Sequence, residues 1–377
     1  MSAPSIPNLN SLRRGALRGR GKSHAADSPD VCRSDSRRKQ VNYDAVIQST
    51  DDDAATSRQS AVDAGYLEDP FAALLHTSGP VSRRLPLMNR GTYVRTTGID
   101  RVVDKFLSSA QGGRKQIISL GAGSDTRFFR LKQKRRDVDL VYHELDFETN
   151  TRRKIAQMRS PAFAAAAKAQ AGVDLRAESA VSSQDTSVLV TSDYLIHPQD
   201  LRLLPKKEGP LTGIDVTLPT LIISECCLVY LPPDDADAVL RYFLNLFSDT
   251  VPLAIVIYEP IRPHDSFGKT MISNLASRGL QLPTLERYHD LKEQRGRLRT
   301  YGFGDEPPWS CGGAEAADID FIWQKWISAE EKERVEGLEW MDEVEEFVLL
   351  AKHYCVSWAW RGFAAESPWK DLPIPPR

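Results

Sequence analysis

The sequence predicts an α/β fold, Rossmann-like with a mainly parallel sheet, and three stretches carry that expectation. Gln116-Ile117-Ile118-Ser119-Leu120 is a buried-strand run that opens directly onto Gly121-Ala122-Gly123. Val138 to Phe147 reads as a second strand and places Asp146 at its C-terminal tip, 25 residues after Gly121. Leu221-Ile222-Ile223-Ser224-Glu225 and Leu253 to Glu259 are nearly continuous apolar runs, as expected of strands covered on both faces, and the spacers leave room for crossover helices.

The elements follow in chain order. Residues 1–40 set nine Lys and Arg among Ser, Pro and Gly with hardly an aliphatic run, a composition that predicts a disordered basic tail. Its three aspartates argue against a transit peptide. Asp51 to Val62 reads as a helix whose acidic first turn complements the macrodipole. Gly65 to Phe71 breaks it, and Pro86 to Ser108 resumes helical spacing. After the two opening strands, Ser160 to Ala171 suits a crossover helix started by Pro161. Thr186 to Val190, rich in β-branched residues, reads as the third strand. Asp234 to Phe247 suits another helix. Beyond Glu259 the pattern reads as helical, with a Gly- and Pro-rich loop at 302–316 and an amphipathic, acid-faced helix over Glu330 to Lys352. The tryptophans of this region suit core packing, with a partner surface as an alternative for one or two.

At 377 residues and 41% hydrophobic content the chain can bury a sizeable core, and a net charge of −2 gives no overall pull toward nucleic acid or membrane. Five cysteines without a CxxC pair support neither a zinc cluster nor a disulfide framework. With no apolar stretch long enough to span a bilayer, the expectation is a soluble, cytoplasmic protein without a metal.

The glycine turn predicts a cofactor site. Gly121 and Gly123 let bare backbone approach a ligand, and Asp146 can hold both hydroxyls of a ribose. Asp125 sits where a diphosphate would meet a like charge, so the turn suits a neutral or cationic ligand, and S-adenosylmethionine has a ribose, no phosphate and a sulfonium. Glu225, at the end of an apolar strand beside the crevice, is either an acid touching the cofactor or a strand-end solubiliser. Asp200 and Leu201 fit an adenine contact, or a helix cap.

Several longer motifs are more specific. Ser119 to Arg127, Tyr142-His143-Glu144-Leu145-Asp146-Phe147, Ser224 to Leu231 and Tyr258-Glu259-Pro260 resemble the leucine carboxyl methyltransferase family, in its fungal form. Gly65 to Pro70, Asn89 to Thr96, Asp265-Ser266-Phe267-Gly268, and Leu338 to Glu343 with His353-Tyr354 after it extend the resemblance over about residues 42 to 361. The resemblance implies a class I S-adenosylmethionine-dependent methyltransferase fold with added N- and C-terminal helices. It also implies a single domain over 41–377, with helical substrate-binding additions at about 41–110 and 262–352.

The implied activity is methylation of the C-terminal leucine carboxylate of the protein phosphatase 2A catalytic subunit, by a monomer. The resemblance makes Arg58, Arg95, Gly121, Asp146, Asp200, Leu201 and Glu225 the cofactor residues. Arg95 would also lie near the substrate carboxylate, and Arg58 stands where the family commonly has lysine. Tyr230 is a second candidate for orienting the carboxylate, or a core residue. Two alternatives remain at this level: a related carboxyl methyltransferase acting on a modified tRNA base, and a non-catalytic phosphatase-binding module.

Overall fold

The structure is a computed structural model that describes residues 43–76, 82–109, 113–175, 186–304, 312–342, 344–363 and 368–376. The basic tail expected at 1–40 lies outside the described residues. Among the described residues eight strands form one sheet: β1 Lys115–Leu120, β2 Leu140–Asp146, β3 Leu189–Val190, β4 Tyr194–Pro198, β5 Thr220–Glu225, β6 Leu253–Pro260, β7 Gly313–Asp318 and β8 Tyr354–Arg361. Their spatial order is β3-β4-β2-β1-β5-β6-β8-β7. The strands from β4 through β6 run parallel, and β8 is inserted antiparallel between β6 and β7. This is the mainly parallel, Rossmann-like α/β sheet that the sequence predicts.

The period-2 alternation of the strands divides the core between the two faces of the sheet. Ile117, Tyr142, Ile223 and Val256 face one apolar cluster; Ile118, Leu145, Ile222 and Ile255 face the other. The first cluster is covered by α2 Pro86–Leu107 and α3 Arg127–Lys134, the second by α6 Pro233–Leu246 and α8 Leu291–Thr300, while α4 Glu148–Met158 and α5 Pro161–Ala166 complete the first layer. Prolines start α2, α5 and α6, where a missing N–H costs nothing. α1 Thr50–Asp63 precedes the sheet and α7 Ser266–Ala276 follows β6; α9 Ile319–Trp326, α10 Ala329–Glu336 and α11 Val344–Lys352 follow β7.

Three expectations are corrected. The third parallel strand is Tyr194–Pro198; Leu189–Val190 is a two-residue antiparallel edge beside it. Its His and closing Pro hide Tyr194–Pro198 in the sequence, whereas burial against β2 decides the pairing. The C-terminal third is not all helical: β7 begins inside the expected loop, and β8 follows α11. Gly313-Ala-Glu-Ala-Ala-Asp318 has no β-branched residue, so only its neighbour β8 reveals it. The expected helix over 330–352 is two helices, α10 and α11, parted by a turn that holds Gly337 and Trp340.

Candidate active site

A cleft of about 1120 Å³ opens at the carboxyl ends of β1, β2 and β5, where ligands bind in open α/β sheets. Arg58, Arg95, Gly121, Asp146, Asp200, Leu201, Glu225 and Tyr230 all line it. The residues named from the sequence are therefore brought together, and the structure adds what surrounds each.

At the glycine turn, φ is +63° at Gly121 and +47° at Gly123, angles that side chains rarely adopt. A Cβ on Gly121 would stand 2.5 Å from the Sγ of Cys227, so the glycine is required by β5's continuation beneath it as well as by any ligand above. The Gly123 N–H donates to Asp146 Oδ2 at 2.7 Å, and Ser124 N–H donates to Asp51 Oδ1 at 2.7 Å. Asp51 comes from the first turn of α1; its carboxylate occupies the N–H face of the turn where a phosphate would otherwise sit. A diphosphate is thus excluded by the protein's own anion. Asp125, suspected of the same effect from the sequence, is instead turned onto Arg127 at 2.5 Å.

Asp146 accepts on Oδ1 from Phe147 N–H at 2.7 Å and from Asn150 Nδ2 at 2.9 Å, which leaves acceptor capacity on Oδ2. Burial, together with the nearby charge of Asp51, raises its carboxyl to about 6 against the opposing effect of these three donors. Asp200 caps the short turn that follows it, accepting from Arg202 N–H at 3.0 Å, so the cap alternative is realised in the fold. The Arg202 guanidinium also binds Asp200, and it grips Asp44 of the 43–48 helical segment with both terminal nitrogens, at 2.9 and 2.8 Å. That segment lies along the same cleft.

Glu225 is the centre of a charge lattice. Oε1 takes Arg95 Nε at 2.5 Å and Oε2 takes Arg127 Nη2 at 3.2 Å. Burial opposes its ionisation, but Arg95, Arg127 and Arg58 outweigh burial and hold the carboxyl at about 2. Arg127, only 1% exposed, also pairs with Asp100 at 2.9 Å. Arg58 reaches Asp69 at 3.4 Å and Asp125 at 3.9 Å, and Thr126 Oγ1 donates to Asp69. Arg58 therefore neutralises the acids under the glycine turn, a task that asks for charge more than for a compact ammonium.

Arg95 is held in a defined plane. Its guanidinium stacks on the Tyr258 ring at 4.5 Å, and Tyr258 stacks on Tyr354 with centroids 5.6 Å apart. Only Nε is engaged; Nη1 and Nη2 carry no hydrogen bond among the described residues. Tyr230 lines the same cleft, with Thr50 beside its hydroxyl. The two thiols after β5 are poor nucleophiles: burial pushes Cys226 up to about 11 and Cys227 higher still.

Sequence reading gave no role in the site to Asp51, Asp44 and Arg202, nor to Asp69, Arg127, Tyr258 and Tyr354, which it had met only within the longer motifs. Asp51 was visible in the acidic run at 51–53, but there the macrodipole explains it without the turn it contacts. Arg127 follows the glycine turn directly, and beyond its neighbour Asp125 its partners, Asp100 and Glu225, come from two distant segments that local pattern does not join.

The chain matches the family model for leucine carboxyl methyltransferase over residues 46–243. It is 49% identical to leucine carboxyl methyltransferase 1 of Emericella nidulans, covering 99% of this chain and 98% of that protein. The Aspergillus fumigatus protein of the same name is also 49% identical, over 99% and 98%. The Arabidopsis thaliana homologue is 35% identical over 84% of this chain and 89% of its own length. With the family model matching more than half of the chain and two relatives 49% identical over nearly their whole length, this chain is a methyltransferase and belongs to the leucine carboxyl methyltransferase family.

Proposed function

We propose that the chain methylates the α-carboxylate of the C-terminal leucine of the protein phosphatase 2A catalytic subunit, in the cytoplasm, within the one domain spanning residues 41–377. The observation that carries this reading is the Arg95 fork, locked by Glu225 and Tyr258 yet free at both terminal nitrogens within the cleft. Family membership supports the methyl donor and the leucine carboxyl.

S-adenosylmethionine, when bound, supplies a methyl group on a positively charged sulfur and leaves as neutral S-adenosylhomocysteine. The residues present fit it. Asp146 would accept from the ribose, Asp200 and Leu201 would meet the adenine, and Gly121 would let the backbone approach. Glu225, Arg58 and Arg95 would surround the amino acid portion. Asp51 on the turn leaves room for a ligand without phosphate and none for a diphosphate.

A terminal carboxylate, with an ordinary pKa near 3.5, is already a nucleophile at neutral pH, so no general base is needed. The task left to the protein is aim and dryness. Two parallel N–H donors from Arg95 fix the plane of the carboxylate, as a guanidinium does and an ammonium does not. Arg95 is already neutralised in part by Glu225, which weakens its hold on a second carboxylate and keeps that oxygen reactive. The Tyr230 hydroxyl, in the same cleft, would share the carboxylate. Met88, Ile319, Phe347, Leu350 and Ala351 supply apolar wall for the leucine side chain.

The test is transfer of labelled methyl to the phosphatase core enzyme, with its terminal leucine present and removed. A base-labile label that appears only with the leucine supports the proposal. A label that persists without it, or no label at all, overturns it.

A further inference from the structure

One face of α4, the helix that follows β2, is given over to the glycine turn. Asn150, Arg153 and Lys154 stand three and four residues apart and therefore share a side of the helix. Asn150 Nδ2 donates to Asp146 Oδ1 at 2.9 Å. Arg153 donates to Asp51, whose carboxylate caps the Ser124 N–H, and to Asp52 Oδ1 at 2.8 Å. Lys154 Nζ donates to the Asp125 carbonyl at 2.7 Å and to Glu144 Oε2.

Of these three, Lys154 is the one whose place needs a reason. It is 3% exposed and its partner Glu144 is 2% exposed, and taking two charges out of water offsets much of what the pair returns. Apolar side chains of similar size would hold α4 against β2 at least as well. What they would not do is bind a main-chain oxygen. The turn is fixed at its entry by the N–H groups of Gly121 and Ala122, which donate to the Leu145 carbonyl at 2.8 and 3.2 Å, and in its middle by Gly123 N–H on Asp146. Lys154 holds the exit, at Asp125, and Glu144 is the counter-charge that lets an ammonium sit there. Lys154 is not among the residues lining the cleft, so any influence on a ligand passes through the turn.

We propose that Lys154 is a positioning residue for the cofactor: by gripping the Asp125 carbonyl it fixes the exit of the glycine turn, and with it the Gly123 N–H that orients the Asp146 carboxylate toward the ribose. A carboxylate held in one orientation before binding loses less freedom when the ligand arrives, so the effect falls on affinity. The inference rests on the reading above, that S-adenosylmethionine is held at Gly121 and Asp146. It adds that the buried Lys154–Glu144 pair serves binding more than folding.

Titration calorimetry of the full chain with S-adenosylmethionine tests it, on two variants that differ only in the lysine. Glu144→Gln and the double variant Glu144→Gln/Lys154→Met both lack the buried carboxylate, so neither leaves an unpaired anion to unfold the protein. Glu144→Gln should bind within about twofold of wild type, because Lys154 still reaches Asp125. The double variant should bind roughly five- to twentyfold more weakly, with KM for the cofactor raised to match and kcat at saturating cofactor changed by no more than about twofold. Equal affinities in the two variants would overturn the positioning role and leave the pair a structural one. Asp146→Ala, titrated alongside, separates this from failure of the underlying reading: wild-type affinity in that variant would refute the cofactor site, and the positioning of it as well.

Discussion

The cofactor end and the substrate end of the cleft are built differently. At the tips of β1, β2 and β5 nearly every polar group is answered by another from the chain itself: Asp51 on the glycine turn, Arg95 and Arg127 on Glu225, Arg202 on Asp44 and Asp200. At the helical end, Met88, Leu350 and Phe347 make an apolar wall. A small ligand of fixed shape is met by a pre-formed polar lattice, which keeps reorganisation on binding small. On the function proposed above, a peptide tail would meet apolar surface plus one oriented guanidinium. The difference locates rigidity on one side and adaptable contact on the other.

The largest effect should come from breaking the lattice at its centre. Glu225→Gln leaves the buried Arg127 and the stacked Arg95 short of a counter-charge, and removal of one partner from such an arrangement costs about 3–5 kcal/mol. Chemical denaturation should show a loss of that order, and a loss below about 1 kcal/mol would mean that Asp100 and Asp125 suffice to hold Arg127. Next comes Asp146→Ala. If its carboxylate takes both ribose hydroxyls, two charge-assisted hydrogen bonds of about 1.5–3 kcal/mol each are at stake, and S-adenosylmethionine should bind on the order of a hundredfold more weakly. Folding should survive, since burial already disfavours that charge. Calorimetry with unchanged affinity would remove Asp146 from the ribose site.

A smaller effect separates the two acids by pH. Asp146, raised to about 6, is protonated when it should accept, so cofactor affinity should be roughly tenfold lower at pH 5 than at pH 7.5, with proton release on binding near pH 6. Because its folded value lies above the ordinary carboxyl value near 4, this group makes the empty protein more stable as pH falls from 6 to 4. Glu225, held at about 2, has the opposite sign: the stability it contributes is complete above its ordinary value near 4.3 and is lost as pH falls toward 2. Affinity that is flat from pH 5 to 7.5 would contradict the Asp146 assignment.

The sequence revealed the cofactor end far better than the substrate end, and the reason is physical. Gly121, Asp146 and Glu225 sit at fixed places relative to strands, so local pattern and strand order suffice to put them in one crevice. The apolar wall depends on α2 and α11, which are separated by most of the sheet in sequence. Arg202 and Asp44 meet across 158 residues for the same reason. Even Gly121 was only half understood: its neighbour Cys227, on another strand's end, is what a side chain there would strike first. Local rules find where a ligand touches strand tips, and contacts between distant helices must be seen.

Arg95 joins the two regions, since its Nε belongs to the lattice and its terminal nitrogens to the cleft. The most direct test is single-turnover methyl transfer by Arg95→Lys at saturating cofactor and phosphatase. Lysine keeps the charge beside Glu225 and loses the planar fork, so the rate should fall tenfold to a thousandfold, about 1.4–4 kcal/mol of transition-state stabilisation, with melting nearly unchanged and some cofactor binding retained. A wild-type rate in this variant would show that the carboxylate is aimed by another group, with the Tyr230 hydroxyl the next to remove.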